Sequence, residues 1–127
     1  MANFETANDR AFEYYPALRK IEIYVRENYS EEVPLFKAAQ IAGLERKYFS
    51  TFFHKKVGIS FCQWLMRMRI NKAIHLLEVE DNSITDIALA VGYQDLRTFE
   101  RAFKKCTGCT PREFKKSIEI RYQFWAK

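Results

Sequence analysis

Ala38-Ala39-Gln40-Ile41-Ala42-Gly43-Leu44 leads into Tyr48-Phe49-Ser50-Thr51-Phe52-Phe53-His54-Lys55-Lys56-Val57-Gly58. The same pattern returns further along the chain as Ile87-Ala88-Leu89-Ala90-Val91-Gly92-Tyr93 and Thr98-Phe99-Glu100-Arg101-Ala102-Phe103-Lys104-Lys105-Cys106-Thr107-Gly108. Each copy sets two Phe four apart, then a basic pair, then a Gly, and the second copy has one extra residue between its first Gly and its first Phe. After the final Gly the copies continue into Ser60-Phe61-Cys62-Gln63-Trp64 and Thr110-Pro111-Arg112-Glu113-Phe114. Both read as capping boxes, with a hydroxyl N-cap and Gln or Glu three residues later. Pro111 suits a first helical position, where its missing N–H costs nothing. A short apolar helix, a turn at Gly and a longer helix make a helix-turn-helix unit. One such copy could be a generic helical hairpin; two copies, each with a basic second helix, point to a repeated binding unit.

Working outward, the periodicity predicts a helix from Pro16 to about Asn28, with Leu18, Ile21 and Val25 on one face. Further helices are expected over about Leu35–Ala42, Arg46–Val57, Ser60–Glu78, Ser83–Val91, Leu96–Thr107 and from Pro111 onward. Gly43, Gly58, Gly92 and Gly108 mark their ends. The long helix from Ser60 carries one apolar stripe of Phe61, Trp64, Leu65, Met68, Ala73, Leu76 and Leu77. The expected fold is all-α, with about seven helices: two helix-turn-helix subdomains joined by a central connecting helix. The domain boundaries follow as an N-terminal tail at 1–15, a first subdomain at 16–59, the connector at 60–79, a second subdomain at 80–117 and an aromatic C-terminal extension at 118–127. Glu80-Asp81-Asn82 forms the polar turn after the connector. Aromatics crowd both ends, Phe4, Phe12, Tyr14 and Tyr15 at one and Tyr122, Phe124 and Trp125 at the other; the latter group is expected to pack back on the core.

The chain has 127 residues and is 48% hydrophobic, enough for a core, with only four Gly and three Pro. Its net charge of +5 is unevenly spread: residues 1–45 carry five bases against eight acids, 46–79 seven against one, 80–96 none against four, and 97–127 nine against three. Two basic blocks therefore alternate with two acidic ones, a pattern suited to two contact zones on a polyanion. No apolar run is long enough to span a membrane, and the first ten residues lack a signal-peptide pattern. Cys62, Cys106 and Cys109 suit a reducing compartment, so the expectation is a cytoplasmic protein with no membrane partner.

The residues Arg69-Ile70, Ala73, Leu76-Leu77, Ile84, Asp86-Ile87-Ala88, Gly92-Tyr93, Phe99, Arg101, Phe103-Lys104-Lys105, Gly108 and Thr110-Pro111-Arg112-Glu113-Phe114 form a specific signature. On it, the chain resembles the DNA-binding domain of AraC/XylS-type transcriptional regulators, over about Ala17 to Lys116. The resemblance implies that both second helices enter the major groove of double-stranded DNA, and that RNA polymerase is a further partner. It also implies an internal bracing role for Arg69. The pattern departs from the family at Glu45, where members often carry a Ser N-cap, and at Phe61, where the second copy has Pro. Most members carry a further sensing or dimerising domain; this chain reads either as a short stand-alone member or as the end of a longer regulator. Two reading heads on one chain suggest a monomer on a non-palindromic site, with a dimer through the chain ends as the alternative.

For the first recognition helix, Phe49, Phe52 and Phe53 are expected in the core, and Arg46, Lys47, Ser50 and Thr51 are candidates for base edges. For the second, Phe99 and Phe103 are core, while Leu96, Arg97, Glu100 and Arg101 are the base candidates. Arg can pair two-fold with guanine, and Leu can meet a thymine methyl. Lys55, Lys56, Lys104, Lys105 and Arg112 are expected on phosphates, which position the protein without specifying sequence. Gly43, Gly58, Gly92, Gly108, Pro111 and Arg69 are structural.

Cys106-Thr107-Gly108-Cys109 is formally a C-x-x-C, but Cys62, His54 and His75 offer no second ligand pair for zinc, and a thioredoxin-like motif needs a βα context. The repeat instead aligns Cys109 with the apolar Ile59 and Cys106 with Lys56, so Cys109 is expected to pack inward. No catalytic constellation, cofactor motif or metal site is read in the chain. A polymerase-binding adaptor would have no use for basic residues in both second helices.

Overall fold

In a computed structural model of the protein the described residues are 7–79 and 81–126, with side chains followed to Gln123. Phe4 and Glu80, and the side chains of Phe124 and Trp125, lie outside the described residues. The described residues form eight helices and no strand: α1 (Ala11–Tyr14), α2 (Pro16–Asn28), α3 (Leu35–Ala42), α4 (Arg46–Val57), α5 (Phe61–Val79), α6 (Ile84–Ala90), α7 (Leu96–Thr107) and α8 (Pro111–Ala126). The all-helical architecture and seven of these helices are those read from the sequence. The addition is α1, a single turn inside the expected tail. Four residues are too few to show a 3.6-residue period, and the turn exists because Phe12 is buried at 2% exposure.

The chain divides into two compact units, one ending at Met68 and the other starting at Arg69, so the division falls inside α5. In the first unit, Phe12, Phe49, Phe53, Phe61 and Trp64 form a cluster of rings with centroid separations of 5.0–6.0 Å. Leu18, Ile21 and Val25 of α2 and Ala38 and Ala39 of α3 close around it, all fully or nearly fully buried. In the second unit, Tyr93, Phe99, Phe103 and Phe114 make a chain of ring contacts at 5.5, 5.8 and 5.7 Å. Ile70, Ile87, Ala88, Val91 and Cys106 are buried in the same unit.

Three sequence expectations change. The connecting helix does not carry one apolar stripe. Its buried residues are Phe61, Trp64 and Leu65 in the first unit and Ile70, Ala73 and Leu77 in the second, with Met68 and Leu76 only half-buried. Ile70, nine residues after Phe61, lies about half a turn around the helix from it, so a single-stripe template passes over it. The C-terminal extension is the continuation of α8. Tyr122, expected to pack on the core, is 74% exposed: it falls one turn beyond Ile118, the last half-buried residue on its face, and lines only an open surface hollow with Glu78, Ile118 and Arg121. Of the N-terminal aromatics, Phe12 is core, Tyr15 is half-buried and Tyr14 is 78% exposed.

The two helix-turn-helix turns are built alike. After α3, Gly43 takes φ 75° and the N–H of Leu44 donates to Ala39 O at 3.0 Å. After α6, Gly92 takes φ 106° and the N–H of Tyr93 donates to Ala88 O at 2.9 Å. Each closes the last turn of its helix with a six-to-one bond, the pattern of a Schellman end. At Gly43 a Cβ would meet no atom within 4 Å, so a side chain there is opposed by backbone conformation alone. Replacing Gly43 by Ala should therefore lower unfolding stability by about 1–2 kcal/mol, and Gly43→Asn by less, because Asn tolerates the left-handed region. Denaturant melts of the variants check this; equal losses for Ala and Asn would show that space, not φ, governs the position.

Candidate nucleic-acid interface

The inward faces of α4 and α7 decide which side chains face outward. In α4, Phe49, Phe53 and Val57 are fully buried, at a four-residue spacing. In α7 the buried set is Phe99, Ala102, Phe103 and Cys106. Burying a Phe side chain is worth roughly 1.5–3 kcal/mol, more than an exposed ion pair contributes, so the Phe pairs set the rotation of each helix about its axis.

On the other side of α4, Lys47, Ser50, Thr51, His54 and Lys55 are all exposed, and Arg46, on the Phe49 side, is exposed because it is the first residue of the helix. Ser50, Thr51, His54 and Lys55 line one shallow surface hollow. His54 sits on the same face as Ser50 and Thr51, three or four residues away. Phe52, read as core, is half-buried; it stacks on the exposed Tyr48 at 5.8 Å and meets Tyr15 edge-on at 5.3 Å. On α7, Arg97, Arg101, Lys104 and Lys105 form an exposed basic face, with Leu96 and Glu100 half-buried at its edge. Gln94, just before the N-cap, is exposed beside the start of this face and was not among the sequence candidates. Arg112, in the first turn of α8, is exposed. Lys56 differs from the other basic candidates: it is half-buried and its Nζ lies 5.3 Å from the Tyr15 ring centroid.

The two cysteines exchange the roles expected of them. Cys106 is fully buried and Cys109 is half-buried. Position 106 continues the inward face from Phe99 and Phe103 by one further turn, so a small apolar side chain fits there. The first copy has Lys56 at this place, which buries its stem and turns its charge onto Tyr15. Among the described residues no three His, Cys, Asp or Glu side chains come together as metal ligands, and no helix is long and apolar enough to cross a membrane.

Acidic residues hold the N-terminal ends. The Glu45 carboxylate accepts from the N–H groups of Lys47 at 3.0 Å and Tyr48 at 3.2 Å. Asp95 accepts from the Thr98 N–H at 2.8 Å and hydroxyl at 2.9 Å. Glu113 completes a reciprocal box with Thr110, accepting from its N–H at 2.8 Å while the Thr110 hydroxyl accepts from the Glu113 N–H at 3.1 Å. Ser60 and Gln63 do the same at 3.1 Å in both directions. Backbone N–H donation is the main reason that Glu45, Asp95 and Glu113 are held below the ordinary carboxylate range. The Arg69 guanidinium stands 5.6 Å from the Tyr93 ring centroid. Burial pushes the Tyr93 phenol up to about 12, and the charge of Arg69 partly opposes that rise.

A family model described as a helix-turn-helix domain matches residues 38–117, a span containing both Gly turns and both basic second helices. The chain belongs to the AraC/XylS-type helix-turn-helix family of transcriptional regulators. Over 97 residues this AraC-type chain is 35% identical to the raffinose operon transcriptional regulatory protein RafR of Pediococcus pentosaceus; the match covers 76% of this chain and 35% of that one. The chain thus spans about a third of that relative's length. The C-terminal domain of AraT, a response regulator from Geobacillus stearothermophilus, aligns at a TM-score of 0.76 and 30% identity, covering 80% of this chain and 85% of that one. The DNA-binding domain of AdpA, solved in complex with a target DNA, shares the fold at a TM-score of 0.78 and 24% identity, covering 83% and 95% of the two chains.

The titrations give this AraC-type domain a stability window with defined signs. The depressed carboxylates contribute stability that is complete above their ordinary values and lost as pH falls through the lower folded ones. The raised Tyr93 phenol works oppositely: stability is kept below its ordinary value of 10.0 and lost as pH rises toward about 12. Stability should therefore be flat with respect to these groups from about pH 5 to 9 and fall on both sides. Spectroscopic titration should find one tyrosine ionising about two units late in the folded protein and normally in denaturant. Arg69→Met should delay it further; an earlier ionisation in that variant would show that the guanidinium does not face the ring.

Proposed function

We propose that the chain binds double-stranded DNA by placing α4 and α7 in successive major-groove segments, acting through binding and not catalysis. The observation that carries this reading is that both second helices, held in equivalent turns, turn their Phe pairs inward and leave a face of basic and hydroxyl side chains outward. The fold shared with the AdpA domain, solved on its target DNA, supports it. Arg46, Lys47, Ser50 and Thr51 on α4, and Leu96, Arg97, Glu100 and Arg101 on α7, are the base readers; His54 and Gln94 join them by position. Lys55, Lys104, Lys105 and Arg112 sit where they can meet phosphates, with Lys104 near enough to Glu113 to influence its carboxyl. Gly43, Gly58, Gly92, Gly108, Pro111 and Arg69 keep these faces in place.

The half-buried positions of Leu96 and Glu100 narrow their roles. Leu96 presents an edge suited to a thymine methyl, and Glu100 can accept from a cytosine amino group but repels phosphate. The N-cap carboxylates Glu45 and Asp95 compete with phosphate for the positive ends of their helices, so phosphate contacts fall to the basic side chains rather than to those N–H groups. Two non-identical reading heads favour a monomer on an asymmetric site. A cytoplasmic regulator that also touches RNA polymerase is the reading for the longer proteins of which such domains form part.

Selection of bound sequences from a random duplex library, followed by footprinting, returns the site, its length and its symmetry. On the selected site, Arg97→Ala and Arg101→Ala should each cost about 1–3 kcal/mol and relax preference at particular base pairs. Lys104→Ala and Lys105→Ala should weaken all sequences alike and flatten the salt dependence by about one ion each. Identical behaviour of the two pairs would remove the division into base and phosphate readers. A palindromic site bound by two copies would remove the monomer.

A further inference from the structure

α4 and α7 both end on a glycine whose N–H donates four residues back, Gly58 to His54 O at 2.9 Å and Gly108 to Lys104 O at 2.8 Å, but the contacts added to that cap differ. At the end of α7 the Thr107 hydroxyl donates to Phe103 O at 2.8 Å and accepts from the Cys109 N–H at 3.3 Å, so a side chain of the helix itself ties its last turn to the residues that follow. The matching residue in the first copy is Val57, which has no hydroxyl and is fully buried. Here the donors come from Asn8, about fifty residues away in sequence: its backbone N–H donates to Val57 O at 2.8 Å and its side-chain Nδ2 to Lys56 O at 3.2 Å. The same segment then delivers the Tyr15 ring, which meets Phe52 edge-on at 5.3 Å and receives the Lys56 ammonium at 5.3 Å from its centroid. Between them Phe12 enters the ring cluster, at 5.9 Å from Phe53 and 5.0 Å from Trp64. Residues 8–15 lie outside the span that the family model matches.

We propose that Asn8 and Tyr15 are positioning residues for the first reading head, clasping the C-terminal end of α4, and that Lys56 belongs to this clasp rather than to the DNA contact. The last carbonyls of a helix lack partners within it, and an external donor to two of them fixes where the helix ends and how it is turned. A cation at about 5 Å over an aromatic ring is held electrostatically, and its direction toward Tyr15 takes it away from the phosphate-facing side on which Lys55 lies. The first head thus takes additional donors from a segment distant in sequence, whereas the second is tied by its own Thr107. The proposal rests on the reading that α4 faces DNA.

The test compares Lys55→Gln, Lys56→Gln, Asn8→Ala and Tyr15→Leu on the full chain bound to its selected site, with folding verified by circular dichroism and the active fraction by stoichiometric titration. Lys55→Gln should lower the slope of log affinity against log salt by about one, while Lys56→Gln leaves it unchanged. Asn8→Ala and Tyr15→Leu should weaken binding roughly three- to tenfold, the scale of one lost hydrogen bond or ring contact. That loss should fall on base discrimination at the α4 half-site alone, with discrimination at the α7 half-site preserved. A general loss of folded protein would lower both half-sites together. The proposal is overturned if Lys56→Gln flattens the salt slope as Lys55→Gln does, or if the Asn8 and Tyr15 variants discriminate at the α4 half-site like the parent. Ser50→Ala and Thr51→Ala separate the two levels. If these and Lys55→Gln are silent, α4 does not face DNA and the underlying reading fails with the proposal; if they act while the clasp variants are silent, the clasp alone fails.

Discussion

Burial of the two Phe pairs, Phe49 with Phe53 and Phe99 with Phe103, is the constraint from which the rest of this molecule follows. All four rings are fully buried. A helix that buries residues four apart must present the opposite face to solvent, and in both second helices that face holds hydroxyl and basic side chains. The exposed faces of both second helices are thus a consequence of the core. Rotating either helix to change its exposed face would bring two Phe rings into water, a cost that no surface interaction of these side chains could offset.

The two copies reach that result with different packing. The first unit surrounds its pair with Phe12, Phe61 and Trp64, drawing on α1 and the first half of α5. The second uses Tyr93 and Phe114, with the Arg69 guanidinium 5.6 Å from the Tyr93 ring centroid. Residues matched by the repeat therefore share a place in the chain but not always a role. Lys56 and Cys106 show this: one position is filled by an apolar thiol, the other by a lysine stem whose charge escapes onto a tyrosine. The acidic caps show the converse. Glu45 and Asp95 differ in side-chain length, yet both accept from backbone N–H groups of the first turn, so both recognition helices start in the same way.

Much of this was legible in the chain itself, because its information is local. The doubled Gly-turn pattern, the capping boxes at Ser60 and Thr110, and the four-residue Phe spacing each act within a few residues. They gave seven of the helices, the inward pairs and the outward faces. By contrast α1, the second buried face of α5 and the place of Ile70 were not legible. A single turn has no period to read, and a helix that buries different sides along its length defeats a one-stripe template. Tyr122 was misplaced for a related reason: apolar character shows that a side chain can be buried, not that its neighbours close over it.

What the sequence alone determined is the list of helices, their caps, and which face of each recognition helix is apolar, since these depend on contacts between residues at most about four apart. Only the tertiary structure decided which distant groups complete the local ones. Asn8 finding the open carbonyls of α4 and Tyr15 meeting the charge of Lys56 both depend on where separate helices come to rest. A carbonyl without a partner, a charge without a counterpart and a ring with one free face are visible in a sequence as needs. Which atom meets each need is settled by close packing, which admits few arrangements of neighbouring side chains.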